Sequence, residues 1–473
     1  MVRPLRSSGG YQLLMPPPDQ RAERFHYDGF TIDPSRGEIC CRYSTGGHSF
    51  TERFGFGPDG RWDDPATQAA ARMLFLLTGV SYYKTTAARV IDLGSTTSTP
   101  DERAFLTSYY VHGLGEFAYR NNIELSDLVV EGPDAPTSSP ASSPPQYTPT
   151  AGRPLIPFGG GIDSIVTVAA LCAGPVEAAD AALCIVHPPG DRFAAIEDAA
   201  AVTGVPVVRV TRQLDPLVRR SEELGFLNGH VPITAVISAT AVVAAVLDQR
   251  DAVVLSNESS ASVPTLLHAR QAINHQWSKS IEFERSFAHF VAASLGPRLS
   301  VFSYLRPRSE LWVAQQFAQL GEFHEVFRSC NRSFHQDPAQ RLDHWCGTCD
   351  KCCFIDLILA PFVPAASLRG LFDGHEPLEQ PELEGRFATL LGLAADSKPF
   401  ECVGDLDECR AALALAAPRP DRQRTPLVRT LVERVADAGD GSSPTQAASL
   451  LVPTGPHYIP DRYAPPDLLV PTH

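Results

Sequence analysis

From Phe25 to Phe56 apolar and polar residues alternate around turn signals at Asp28-Gly29, Ser35-Arg36-Gly37 and Gly46-Gly47, the period-two pattern of a small antiparallel meander. The period then lengthens. Ala70, Met73, Leu74 and Leu77 give the stretch from Ala66 to Thr78 helical spacing, and Ala104 to Tyr119 carries a second helical pattern interrupted at Gly113 and Gly115. These elements predict a smaller N-terminal α+β domain over residues 1–130.

Residues 131–153 are mostly Pro, Ser, Thr and Ala, with too few large apolar side chains to offset the entropy of ordering, and read as a linker or disordered insert. Beyond it strands and helices alternate: Leu155 to Phe158, Ile162 to Ala173, Ala182 to His187, Arg192 to Thr203, Val205 to Thr211, Ile233 to Gln249 and Val253 to Asn257. That rhythm predicts an α/β domain over residues 154–415, a doubly wound parallel sheet with helices on both faces. A strand from Leu299 to Tyr304 and a helix from Ser309 to Leu320, with Ser309 as N-cap, continue it. Residues 416–473 read as a Pro-rich tail with one helix around Val428 to Ala438.

With 473 residues, more than one core is expected. A net charge of -14 argues against a broad nucleic-acid surface. The N-terminus lacks a signal-peptide apolar run, and the longest apolar run, Ile233 to Leu247, is interrupted by Thr234, Ser238 and Thr240 and is short for a membrane span. A cytoplasmic protein without membrane or nucleic-acid partners is the expectation.

In PLIPFGGGIDSIVTVAAL an apolar strand runs into Gly159, Gly160 and Gly161, then Asp163 and Ser164, and at once into a helix. Glycines let the backbone turn tightly and approach a ligand, while the first helical N–H groups attract an anion. Ser164 can donate to a phosphate oxygen, and Asp163 can help to hold Mg²⁺ beside the phosphates of ATP. The Lys of a Walker loop is missing. The string resembles the SGGxDS signature of the PP-loop ATP pyrophosphatases, with Gly159 where that family usually has Ser. The resemblance implies an adenine nucleotide alpha-hydrolase-like fold and cleavage of ATP to AMP and pyrophosphate.

Of 11 cysteines, Cys330, Cys346, Cys349 and Cys352 stand in a C-x15-C-x2-C-x2-C arrangement, with Cys353 a fifth thiol beside them. Four thiolates at such short reach suit a closed structural Zn²⁺ site in a reducing compartment. The spacing is similar to the zinc site of the 7-cyano-7-deazaguanine synthases, themselves PP-loop enzymes. The alternative is a set of buried or redox-reactive thiols.

Further polar strings are GVSYYK (79–84), HGLGEFAY (112–119), SNESSAS (256–262), NHQWSKSIEFE (274–284), SCNRSF (329–334) and KPFECVG (398–404). In this order they resemble the UDP-N-acetylmuramoyl-L-alanyl-L-glutamate epimerases of bacterial wall synthesis. The resemblance implies ATP- and Mg²⁺-dependent inversion of the terminal L-glutamate through a carboxyl-adenylate, and pairing with a muramoyl ligase that adds L-glutamate. His275, Lys279, Glu258 and Glu282 are the candidates for proton transfer and substrate contact, with Cys402 a thiol alternative. Lys279 and Arg285 could balance substrate charge or form a solvated helix face with Glu282 and Glu284, and His275 could equally be a capping or core residue. Glu401 and Cys402 lie in a segment that reads as a fixed turn or a docking strand. The rival readings are a synthase acting on a nucleobase and a module that senses ATP without turnover.

Overall fold

The computed structural model describes residues 21–135, 145–174, 176–268, 271–335, 337–394, 400–439, 441–442 and 444–469. Its strands are β1 (Arg24–Asp33), β2 (Glu38–Thr45), β3 (His48–Gly55), β4 (Val90–Asp92), β5 (Val129–Glu131), β6 (Thr150–Pro157), β7 (Ala182–His187), β8 (Val207–Gln213), β9 (Arg250–Leu255), β10 (Leu266–His268), β11 (Gln271–Ile273) and β12 (Ser300–Ser303). Ten of them form one sheet in the order β12-β9-β6-β7-β8-β3-β2-β1-β4-β5, while β10 and β11 pair separately.

The run β12-β9-β6-β7-β8 is wholly parallel. Strands β8, β3, β2 and β1 are antiparallel, and β1, β4 and β5 are parallel again. The meander and the parallel strands, assigned from sequence to separate domains, thus share one sheet through the pairing of Arg53 with Gln213 and Gly55 with Thr211. The chain leaves β6 toward β7 and β8, then returns on its other side as β9 and β12. That reversal beside β6 opens a crevice at the carboxyl ends of the strands, where ligands bind in open α/β sheets.

Burial on both faces follows from the pleat. Ile156, Leu183, Ile185, Ala252, Val254 and Phe302 enter one core with the helices Ile162–Cys172, Ala194–Thr203 and Glu310–Phe317. Their strand neighbours Leu155, Ala182, Cys184, Val253, Leu255 and Val301 enter the other, with the helices Pro65–Thr78, Ile233–Leu247 and Ile281–Leu295. Successive side chains point to opposite faces, so a near-continuous apolar run is required where both faces are covered. Ile233–Leu247 is one of these covering helices, and among the described residues no helix is long and apolar enough to cross a membrane.

Local chemistry sets the helix boundaries. Asp64 caps Pro65–Thr78 by accepting from the Ala66 N–H at 2.9 Å, with Pro65 in the first turn where its missing N–H costs nothing. Thr99 and Glu102 form a reciprocal capping box on Pro100–Gly113. The helical pattern from Ala104 to Tyr119 is two helices, Pro100–Gly113 and Gly115–Arg120. Ser309 caps Glu310–Phe317, accepting from the Trp312 N–H at 3.0 Å.

Three expectations change. Asp28-Gly29 is a bulge inside β1 and not a turn: register shifts between Tyr27 and Gly29, whose φ of 120° only glycine adopts readily. The segment read as linker is ordered at its end, where β6 begins at Thr150 and the buried Tyr147 hydroxyl lies 2.9 Å from the carbonyls of Ala245 and Arg250. Residues 136–144 of that segment lie outside the described residues, as do residues 1–20, Lys398 and Pro399. The expected tail supplies Leu427, Val428, Leu431, Val435, Ile459 and Tyr463 to the first core, and the Tyr463 hydroxyl donates to Asp251 at 2.7 Å.

Candidate functional site

The loop from β6 into the helix Ile162–Cys172 makes its turn at Gly160, where φ is 72° and a Cβ would stand 2.8 Å from the Ala195 carbonyl oxygen. At Gly161 a Cβ would meet the Ser329 hydroxyl at 3.2 Å, whereas at Gly159 it would meet nothing within 4 Å. The Ser164 hydroxyl donates to the Gly161 carbonyl at 3.0 Å, tying the helix start back onto the loop. Asp163 stands in the first turn of that helix, and the helix opens into the crevice beside β6.

Three carboxylates converge there. Oxygens of Asp163, Glu258 and Glu310 lie within 4.8 Å of one another, brought from the helix after β6, the loop after β9 and the helix after β12. Oδ1 of Asp163 and Oε2 of Glu258 are buried without a hydrogen-bond partner. Burial, then the Glu258 charge, pushes Asp163 up to about 7 against the opposing pull of Lys279 and Lys351. Burial and the same two carboxylates push Glu310 well up. Oxygen-only donors with orphaned atoms are the ligand set of a hard divalent cation, whose octahedral shell places oxygens about 3 to 4 Å apart.

Beside the carboxylates stands a relay of opposite charges. His275 Nδ1 lies 2.5 Å from Glu116 Oε2, and Cys402 stands close enough for its charge to act on the imidazole. Burial alone would lower the imidazole, but the Cys402 and Glu116 charges outweigh it and raise His275 to about 9. Burial would raise the Cys402 thiol, but Lys279, His275 and Lys351 bring it down to about 6. Near pH 7 the pair is therefore thiolate and imidazolium. His230, 4.2 Å from His275 between ring centroids, is held neutral, lowered to about 4 by burial and then by the His275 charge. Half-buried Lys279 is raised, because Cys402, Glu258, Asp163 and Glu310 overcome its desolvation.

Arg306 holds this arrangement together. It is 2% exposed and donates to the Glu258 carbonyl at 2.7 Å, the Lys279 carbonyl at 2.6 Å and Glu284 Oε2 at 2.7 Å. Two loops that carry site residues are thereby fixed by one guanidinium, whose planar fork suits several acceptors at once.

Cys330, Cys346, Cys349 and Cys352 gather with their sulfurs within 4.8 Å of one another; Cys352 Sγ is 3.7 Å from Cys346 Sγ and 3.5 Å from Cys349 Sγ. Four thiolates about 2.3 Å from one tetrahedral ion would lie about 3.8 Å apart, so donor set and spacing suit zinc. Cys353 is not in the group; it is buried in the first core. The cluster adjoins the glycine loop through Ser329, which approaches Gly161, and the segment of Cys402 through Asn331, which donates to Glu401 at 3.0 Å.

Of the residues singled out in the sequence, Gly159 to Gly161, Asp163, Ser164, Glu258, His275, Lys279 and Cys402 come together. Glu282 and Arg285 do not, standing exposed on Ile281–Leu295. Glu284, two positions on from Glu282, instead faces inward to Arg306. The sequence reading passed over Glu116, Glu310, Lys351 and Arg306. Glu116 lay inside the string HGLGEFAY, a signal that was available; nothing local marks the other three.

Two family models match the chain, the MurL N-terminal domain over residues 18–304 and the MurL C-terminal domain over residues 326–446. Three curated relatives are similar to most of it, each named UDP-N-acetyl-alpha-D-muramoyl-L-alanyl-L-glutamate epimerase. The protein from Xanthomonas oryzae pv. oryzae is 36% identical over 84% of this chain and 84% of its own. That from Salinispora tropica is 35% identical over 94% of this chain and 95% of its own, and that from a Micromonospora species 34% identical over 94% and 98%. No solved structure matches.

Proposed function

Because this chain belongs to the MurL family of UDP-N-acetyl-alpha-D-muramoyl-L-alanyl-L-glutamate epimerases, we propose that it inverts the terminal glutamate of that nucleotide-linked dipeptide at the expense of ATP. The observation that carries the reading is the convergence of the glycine loop, three carboxylates and the Cys402–His275 pair at one crevice. On this reading the parallel half of the sheet is a PP-loop fold, and the enzyme works in the cytoplasm, in company with the ligase that adds L-glutamate.

The chemistry needs each part. The α-proton beside a free carboxylate is scarcely acidic, because its removal places two negative charges on adjacent atoms. Attack of the substrate α-carboxylate on the α-phosphorus of ATP forms an acyl phosphate ester with AMP, expels pyrophosphate and removes one charge. Loop N–H groups around Gly161 and the start of its helix receive the pyrophosphate. Asp163, Glu258 and Glu310 would hold Mg²⁺, which neutralises phosphate charge when bound. Lys279 faces the developing negative charge.

Cys402 then removes the α-proton and His275 supplies one, with Glu116 keeping the imidazole charged and aligned. The two groups are near enough for each charge to shift the other, and with acid and base so close together inversion requires the planar enolate to turn its other face to the pair. Water releases AMP from the inverted product. Zn²⁺ in the four-cysteine site would supply a fixed node and no chemistry, holding Ser329 against Gly161 and Asn331 against Glu401.

The test is incubation with Mg²⁺-ATP and the L-glutamate substrate in D₂O, followed by AMP, glutamate chirality and α-carbon deuterium. AMP together with deuterated D-glutamate is the expected result. AMP without inversion would sink the epimerase while leaving an adenylating enzyme; neither product would sink both.

A further inference from the structure

The string GVSYYK ends in Lys84, which takes no part in the relay described above. Lys84 is half-buried in the wall of an 820 Å³ cavity that also receives Arg212, Arg219 and His230, a volume typical of small-molecule sites. Its ammonium donates to Asn228 Oδ1 at 2.6 Å and to the Gly229 carbonyl at 3.3 Å, and among the described residues it forms no ion pair. Burial, and then the Arg212 charge, lowers Lys84 to about 8. Arg212 is matched by Glu52 at 2.5 Å and also donates to the Ser81 hydroxyl at 3.1 Å. Arg219 is exposed and forms no ion pair among the described residues. Among the described residues of the wall the one carboxylate, Asp337, is committed to the Ala339 N–H and the Gln340 amide.

A desolvated ammonium and a free guanidinium facing a cavity in a chain of net charge -14 call for an anionic occupant. The cavity's position says which one. His230 lies on its wall and also 4.0 Å from Glu116, so the space runs up to the Glu116–His275–Cys402 relay from the side of the N-terminal segment. None of the glycine-loop residues Gly159 to Ser164 lines this cavity, so the ATP phosphates of the proposed reaction would not occupy it.

We propose that this cavity binds the nucleoside diphosphate end of the substrate, with Lys84 and Arg219 on the diphosphate oxygens and the sugar-peptide arm passing His230 to reach His275 and Cys402. The inference rests on the epimerase reading for the identity of the substrate, but the site has its own readout. Charge-assisted hydrogen bonds to phosphate are strong enough that losing one lowers affinity about tenfold or more.

The experiment measures UDP binding by calorimetry in the full chain, in Lys84→Met, which keeps the apolar stem, and in Arg219→Ala, whose exposed side chain is not needed for folding. The binding of α,β-methylene-ATP is measured in parallel, and steady-state kinetics compare the UDP-linked substrate with the muramoyl dipeptide lacking UDP. Expected are UDP affinities about tenfold weaker in both variants, unchanged affinity for the ATP analogue, and a raised KM with little change in kcat that appears only with the UDP-linked substrate. Absence of UDP binding in the unaltered chain, equal UDP affinity in all three proteins, or equal losses on both substrates would overturn the site. UDP binding that depends on Lys84 in a protein that inverts no glutamate would support the site and remove the epimerase reading; inversion without UDP binding would remove the site alone.

Discussion

Glu116 Oε2 lies 2.5 Å from His275 Nδ1, a contact between residues 159 positions apart in the chain. It joins the short helix Gly115–Arg120 to the turn that follows β11, and so ties the N-terminal segment to the crevice at the end of the parallel strands. One carboxylate thereby joins Cys402 in raising the imidazole, which in turn joins Lys279 in lowering the thiol.

The Cys402–His275 pair predicts a bell-shaped dependence of kcat/KM on pH. Activity rises as Cys402 loses its proton, near 6, and falls as His275 loses its own, near 9. The two limbs belong to the coupled pair and not to either residue alone. Cys402→Ser should lower inversion and deuterium wash-in by about 10² to 10⁴-fold. Wash-in at the unaltered rate would exclude the thiol as the base.

Glu116→Gln separates positioning from proton transfer. Removing the carboxylate that raises His275 should move the alkaline limb downward from about 9, with the acid limb disturbed less. An alkaline limb that stays in place, whatever the loss in rate, would show that Glu116 does not act through His275.

In the loop from Gly159 to Gly161 the glycines are not equivalent. Gly160→Ala puts a Cβ 2.8 Å from a backbone oxygen at a positive φ and should abolish detectable pyrophosphate release. Gly159→Ser enters open space and should retain release to within about twofold. The reverse order would place the tight approach elsewhere in the loop.

Metal analysis of the purified chain should find one tightly held zinc. Cys349→Ser should lose it and lower both Tm and activity, since metal affinity in such sites is folding free energy. Cys172→Ser, a half-buried thiol outside the cluster, should keep it. Full stability and activity in zinc-free Cys349→Ser would return the cysteines to ordinary core thiols.

Glu284→Ala leaves the Arg306 guanidinium buried without its countercharge and should cost about 3 to 5 kcal/mol in denaturant unfolding. Glu282→Ala, at the exposed position two residues earlier, should stay within about 0.5 kcal/mol. Equal effects would place the two glutamates on the same footing.

Much of the local structure was legible because it depends on near neighbours. The capped start at Ser309, the alternation of strand and helix after residue 153, and the strand, glycines and helix around Gly159 to Ser164 all report interactions a few residues apart. Glu282 and Glu284 show where such legibility stops. Both are acidic residues in one polar string, and only the rotation of Ile281–Leu295 against β12 turns Glu284 onto Arg306 and leaves Glu282 in water.

By itself, then, the sequence determined the succession of elements, the glycine loop with its anion-attracting helix, and the spacing of the four cysteines. Tertiary structure alone decided that the meander would join the parallel strands in one sheet. It also brought Glu258 and Glu310 to Asp163, and Glu116 to His275. The reason is that backbone turns, caps and pleats answer to forces acting within a few residues, whereas the charge state of a buried group is set by whichever distant groups the fold brings within a few ångströms of it.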